Sequence, residues 1–314
     1  MAGVREMVNW LLAGPVRLPS GAYLSWVSSD NSSTLYAEAA AVAVRTICWW
    51  CRTCGDDQQL LRLIPTLAFL EQAVADDGLV RHRGQSWLFD SLLVLCALET
   101  AGRSGVPYPA TTAVERLSQG CTEMLNAGCA SRPADEMRWS SAFGPHLLKP
   151  TSLLLTMGMG TEQLRRAIRR ALPTLLSCQD MAGAFRSPGE NRVYLHAHCY
   201  ALEGLAVLAN APEQLRKGLV YLLSQRRPDG GFPHWNDTPS PLAADVTAQA
   251  GRLFLLCEER DAAARARAAL ESLAAPSGAL YYHAESSHQN SWSTAFAAQL
   301  DYGLQASIAA TDLA

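Results

Sequence analysis

The segment Arg192–Leu205, RVYLHAHCYALEGL, gathers more reactive side-chain types than any other stretch of the chain. Read as a helix, it places His196, Cys199, Tyr200 and Glu203 at i, i+3, i+4 and i+7, so that a base, a thiol, a phenol and a carboxylate share one face. His198 falls about 200° round from His196, toward a neighbouring helix. A histidine facing a buried carboxylate is the minimal equipment for proton transfer, because each shifts the other's pKa toward its task. A satisfied core helix is the plain alternative, since Cys and His are often buried.

Further candidates follow from a repeated turn. Glycines followed by small or apolar residues recur at Gly21, Gly78, Gly183, Gly231 and Gly278, with spacings of 57, 105, 48 and 47 residues. A degenerate copy near Gly128 divides the long interval, and the distance from Gly278 through the end to Gly21 closes the period. Glu38, Asp90, His196, Asp245 and Asn290 each lie 12 to 17 residues beyond one of these glycines. Matching positions in repeated units converge on one mouth, so His196, Asp245, Glu203 and Asp90 are the catalytic candidates. Glu38 and Asn290 would bind substrate there, as would His198, Cys199 and Tyr200. Trp26, Trp87, His234, Trp235, His283 and Trp292 lie in or beside the same connectors and suit the stacking and hydrogen bonding that a sugar ring needs. His146 and Lys149 open another inner helix and suit a carboxylate or phosphate. The bland readings are helix-dipole partners for Asp90 and Asp245, an N-cap for Asn290 and core packing for the tryptophans.

Helical periodicity dominates and sustained alternation is nearly absent. It predicts about twelve helices, near 2–13, 34–53, 57–75, 86–102, 110–126, 147–157, 161–178, 193–209, 212–225, 241–258, 261–274 and 290–308. Paired helices of about 50 residues cannot bury their own apolar stripes, whereas six pairs closed in a ring can. The expected fold is therefore all-α, a single (α/α)6 toroid over residues 1–314, its first helix pairing with its last. Apolar segments such as 86–102, 193–209 and 290–308 suit the inner ring; the Arg-rich amphipathic segments around Leu164 and Leu270 suit the outer one.

The chain has 314 residues, 49% hydrophobic and 18% charged, with a net charge of -3. It carries no basic stripe for nucleic acid, no GxGxxG or Walker loop and no apolar run long enough for a bilayer. MAGVREMVNWLLAGPV is interrupted where a signal peptide needs its apolar core, so a cytoplasmic location is expected. Nine cysteines without a framework read as reduced thiols. Cys48, Cys51 and Cys54 form a CxxCxxC run, but Cys48 and Cys54 point apart on a helix. No cofactor is called for; zinc on His196, Cys199 and a remote ligand, as in lanthipeptide-cyclase toroids, is the minor alternative.

KGLVYLLSQRRPDGGF, from Lys217 to Phe232, resembles the repeat of squalene cyclases and protein prenyltransferase β-subunits. SPGENRVYLHAHCYALEGL is similar to the prenyltransferase turn and helix that supply a zinc histidine, although Ala197 stands at that histidine's place. LAADVTAQAGRLF resembles the acid-motif helix of class II terpenoid cyclases, with Asp245, Thr247 and Ala248 matching. GAYLSWV, LYAEAAAVAVR, WLFDSLLVL, HAHCYALEGLAVL, DGGFPHW, ADVTAQAGRLF and QNSWSTAFAAQL are together similar to bacterial sugar-active toroids, including 2-epimerases, uronyl epimerases, glycosidases and lyases. The expected function is metal-independent acid–base chemistry (isomerase, epimerase, lyase or cyclase) on a small polar, sugar-like or carboxylate-bearing metabolite in the central cavity. The alternatives are an isoprenoid cyclase or transferase and a non-catalytic scaffold. Oligomeric state is not written in the sequence.

Overall fold

The structure, a computed structural model, describes residues 3–28, 33–132, 139–238 and 240–313. Its helices are α1 (Val4–Ala13), α2 (Ala37–Cys54), α3 (Ile64–Gln72), α4 (Leu88–Arg103), α5 (Thr111–Ala127), α6 (Leu148–Thr156) and α7 (Glu162–Leu176). They continue with α8 (Leu195–Leu208), α9 (Pro212–Ser224), α10 (Ala244–Leu256), α11 (Arg260–Leu270), α12 (Ser291–Gly303) and the short α13 (Ala310–Leu313). The even-numbered helices from α2 to α12 each pack on the next, and α12 returns to α2, so they close a ring. The odd-numbered helices up to α11 surround it, and α1 packs on α12 as the circular period requires. The fold is an all-α toroid.

Composition explains the two layers. Inner helices such as α8 and α10 are buried nearly all round, which requires apolar or paired residues on every face. Outer α7 buries Leu164, Ala167, Ile168, Ala171 and Leu175 on one stripe and leaves its arginines outside. Two boundaries differ from the sequence reading. The expected helix over 57–75 begins as a 3-10 segment, Asp57–Leu63, because Pro65 removes an amide donor and its ring clashes with the carbonyl four residues back. The last inner helix ends at Gly303 and not near 308, and the chain turns before forming α13.

Each turn glycine has a second reason to be glycine. Gly21, Gly78, Gly183, Gly230 and Gly278 all have φ between +72° and +94°. A Cβ on them would meet the backbone of the next outer helix, at Pro65, Arg116, Lys217, Arg265 and Glu6 respectively. The fourth turn is thus made by Gly230, one residue before the glycine the sequence reading selected. The suggested copy at Gly128 only ends α5, with open space around its Cβ position. Two residues beyond four of these glycines, an amide is held by an inner-helix side chain: Val80 by Ser91 Oγ at 2.8 Å, Phe185 by His198 Nδ1 at 3.1 Å, Phe232 by Thr247 Oγ1 at 3.0 Å and Leu280 by Thr294 Oγ1 at 3.0 Å. These four turns are therefore fastened to both rings, and the residues that follow them are delivered to the same rim.

Gly183→Ala tests this device, since φ is +94° and the new Cβ would lie 2.4 Å from the Lys217 carbonyl oxygen. We expect a loss of about 2–4 kcal/mol in urea unfolding, against about 1 kcal/mol for Gly189→Ala, which shares the left-handed backbone but has open space. Equal costs would mean that the close approach carries no weight.

Candidate active site

Inner helices begin at one mouth of the ring, and short antiparallel connectors frame it: Trp26–Val27 pairs with Gln289–Asn290, Tyr194 with Trp235 and Ala243 with His283. The first turns of α8 and α10 bring His196 and Asp245 together, with Nδ1 3.4 Å from Oδ2. His234, on the connector before α10, places Nε2 3.2 Å from the other carboxylate oxygen. Asp245 is 3% exposed and sits between two imidazoles. Its Oδ1 also accepts the Val246 amide at 2.8 Å.

This arrangement drives the two histidines apart. Burial favours neutral imidazole and lowers His196 to about 4, against the partial opposition of Asp245. Burial acts on His234 as well, but there the attraction and hydrogen bonding of Asp245 win and raise it above its ordinary value. Burial would protonate Asp245, yet the charges of His234 and His196 outweigh that and hold it down at about 2. One carboxylate thus lies between an imidazole of lowered pKa and one of raised pKa, which is how a site assigns its base and its acid. With Nδ1 turned to the carboxylate, Nε2 of His196 carries the basic lone pair.

Aromatic rings close around this group. Trp139 lies within 5.1–6.3 Å of the rings of Phe89, His146, Tyr194, His196 and Tyr200. Glu38 lies 3.5 Å from the Tyr200 hydroxyl, and Asp90 3.5 Å from that of Tyr36. His146 is fully buried edge-on against Phe89 and Trp139. Trp235 carries the Arg192 guanidinium 3.7 Å over its ring and packs on Tyr194. Trp292 packs on Tyr36, and Trp26 stacks on His288 at the rim.

Other candidates are placed elsewhere. Glu203 is not the partner of His196: two turns deeper, its carboxylate accepts Lys149 Nζ at 2.7 Å and pairs with Arg252. Gln299 of α12 accepts from the same guanidinium. Lys149 therefore faces this cluster, where burial lowers it to about 8 despite Glu203. His198 is turned out of the ring, its Nδ1 accepting the Phe185 amide and its Nε2 donating to the Gly218 carbonyl at 3.1 Å. The Oδ1 of Asn290 caps α12, accepting from the Ser293 amide at 2.9 Å. Trp87 is fully buried, 3.5 Å from the His82 carbonyl oxygen through Nε1. The Cys199 thiol is fully buried and pushed well above its ordinary value, so it offers no thiolate. In the CxxCxxC run Cys48 and Cys51 are buried while Cys54 is exposed. Among the described residues no three His, Cys, Asp or Glu side chains gather as a metal site requires. No described helix is long and apolar enough to cross a membrane.

Trp139, Tyr36, Arg252 and Gln299 escaped the sequence reading. A signal for Arg252 and Gln299 was present: Glu38/Arg45, His196/Glu203, Asp245/Arg252 and Trp292/Gln299 are all seven residues apart on inner helices. Trp139 carries no such signal.

No protein-family model and no characterised protein sequence matches the chain. Solved structures do. An unsaturated glucuronyl hydrolase from Bacillus sp. GL1, responsible for glycosaminoglycan degradation, superposes with a TM-score of 0.73 over 96% of each chain at 12% identity. The chain shares its fold. An unsaturated glucuronyl hydrolase specific for heparin gives 0.70 at 12% identity over 96% of this chain and 95% of that one. An α-amylase from Clostridium perfringens gives 0.72 at 9% identity over 95% and 98%. The resemblance to squalene cyclases has no counterpart among these.

Acid should loosen the fold. His196 and His198 are held at about 4 while the unfolded chain titrates near 6.5, so below 6.5 the unfolded state binds the extra protons. Stability is complete above about 6.5 and falls toward pH 4, by as much as roughly 3 kcal/mol per histidine. The raised His234 acts oppositely: its contribution is present below 6.5 and fades as pH rises through its folded value. Urea midpoints should drop between pH 7 and 4.5, and His198→Gln should flatten that slope. A flat profile in the wild type would contradict the burial of neutral imidazoles.

Proposed function

We propose that the protein is a carbohydrate-active enzyme that moves a proton at a carbon next to a carbonyl or carboxylate, in the manner of an epimerase or isomerase. The observation that carries this reading is the buried Asp245 between His196 and His234 at the mouth. In the mechanism, His196 Nε2 takes the proton while Asp245 stabilises the imidazolium that forms. His234, in its protonated form, which Asp245 favours, supplies the balancing proton to the developing oxyanion or to the opposite face of the carbon. Glu38 and Asp90 hold sugar hydroxyls, and the aromatic walls of Trp139, Trp235 and Trp292 receive the ring's apolar face. Arg192 above Trp235 offers a cation to a substrate carboxylate. The fold neighbours, unsaturated glucuronyl hydrolases and an α-amylase, support a sugar substrate.

A second reading, glycoside hydrolysis or hydration of an unsaturated sugar, draws on those same neighbours and on three carboxylates, Glu38, Asp90 and Asp245, in the first turns of inner helices. The isoprenoid alternative needs an apolar mouth, which the carboxylates and histidines at this end oppose. Against the scaffold alternative stands the pair of histidines driven apart in pKa.

Incubation with a panel of aldoses, uronic acids and N-acylated amino sugars in D₂O distinguishes the two sugar readings. Deuterium entering the carbon beside the carbonyl, seen by proton NMR, is the expected result. New reducing ends from oligosaccharides without such exchange would replace the epimerase reading by the hydrolytic one. His196→Ala and Asp245→Ala should each lower turnover by about 10²–10⁴-fold with the fold intact. Wild-type rates in both variants would remove the assignment. kcat/KM should hold between an acid limb near pH 4, where His196 gains its proton, and an alkaline limb above 6.5, where His234 loses its own.

A further inference from the structure

A cavity lies at the end of the ring opposite the mouth. It measures about 660 Å³, and Arg45, Arg52 and Arg103 line it against Asp57 and Asp312. A small recess that leads inward shares Arg45 and Asp312 with it and is lined further by Lys149, Arg252 and Gln299. Arg45 thus stands in the wall between the cavity and the buried ion cluster.

Among the described residues, three cations, Arg45, Lys149 and Arg252, are drawn together in the lower half of the ring; Glu203 is the carboxylate that Lys149 and Arg252 share, and Asp312 is the other carboxylate of the recess. Among the described residues the Nε atoms of Arg45 and Arg252 are buried without an acceptor, and Arg252 is fully buried. A buried guanidinium nitrogen without an acceptor is costly, and an oxyanion is the group that satisfies it, often through two parallel bonds. Asp312 of α13 brings such a group to the lining of both the cavity and the recess. Its carboxylate pairs with Arg52, its carbonyl accepts Gln299 Nε2 at 2.8 Å, and the neighbouring Thr311 carbonyl accepts Arg45 at 3.1 Å. Arg103, by contrast, is engaged by the Met157 and Gly158 carbonyls and by Glu99.

We propose that this cavity is a binding site for a small oxyanion-bearing molecule, a phosphate monoester or a carboxylate, read by Arg45 and Arg52. The Asp312 carboxylate acts as a built-in competitor, so occupancy of the site is coupled to displacement of α13. The site is independent of the mouth and of the reaction assigned to it.

Isothermal titration of the full chain with inorganic phosphate, and separately with malonate, at matched ionic strength tests the proposal. Asp312→Asn should tighten binding of at least one probe about tenfold, since a competing ion pair is removed while the backbone contacts remain. Preference for phosphate would assign the site to phosphate monoesters, and preference for malonate to carboxylates. Adding Arg45→Met or Arg52→Gln to Asp312→Asn should abolish the gain. Arg52 is mostly in solvent, so its replacement keeps the test valid should Arg45→Met fail to fold. Equal affinities for wild type and Asp312→Asn, insensitivity to Arg52→Gln, or no binding of either probe would overturn the proposal.

Discussion

The carboxylate of Glu203 is the fixed point of this ring. It sits on α8, accepts Lys149 from α6 and Arg252 from α10, and through Arg252 reaches Gln299 on α12, so one side chain ties four of the six inner helices together. All four partners are almost fully buried. Such a charge cannot be left alone: losing one partner of a buried pair typically costs about 3–5 kcal/mol. A shift by one turn would unpair these charges, so they lock the helices in register.

That register reaches the mouth. Seven residues are two helical turns, roughly 10 Å. Seven residues before Glu203, Arg252 and Gln299 stand His196, Asp245 and Trp292, and seven before Arg45 stands Glu38. Aligning the deep layer therefore aligns the upper one, and His196 meets Asp245 because Glu203 meets Arg252. The upper layer is less fully paired. Its carboxylate is shared by two imidazoles, which cannot both be cations in so dry a place, and the difference in burial decides which one is.

Much of this was legible in the chain. The glycine period is written openly because each left-handed turn lies against the backbone of the next outer helix, where no side chain fits. Helical periodicity gave the elements to within a few residues, and the similar distances from glycine to polar residue, 12 to 17 residues, pointed to the mouth. What failed did so for identifiable reasons. Glu203 and His196 share a helix face, but a face runs through two depths, and depth is set by neighbours that one helix does not reveal. His198 was counted with the site on its residue type, although its position along the repeat matches Ser91, Thr247 and Thr294, which fasten turns. Asn290 reads equally as ligand or cap until the Ser293 amide is seen to take its oxygen. Trp139 lies outside every repeat, so no periodicity could announce it.

Around the one carboxylate of Asp245, unequal burial divides two histidines into a neutral base, His196, and an acid of raised pKa, His234. Proton-detected ¹⁵N NMR of the imidazole rings, followed from pH 4 to 9 in wild type and Asp245→Asn, measures this directly. The account predicts that His196 remains neutral at pH 5.5, that His234 titrates above 6.5, and that both fall when the carboxylate is removed, because Asp245 raises each of them against burial. Two histidines titrating together near 6.5 in the wild type, or unmoved by Asp245→Asn, would contradict it.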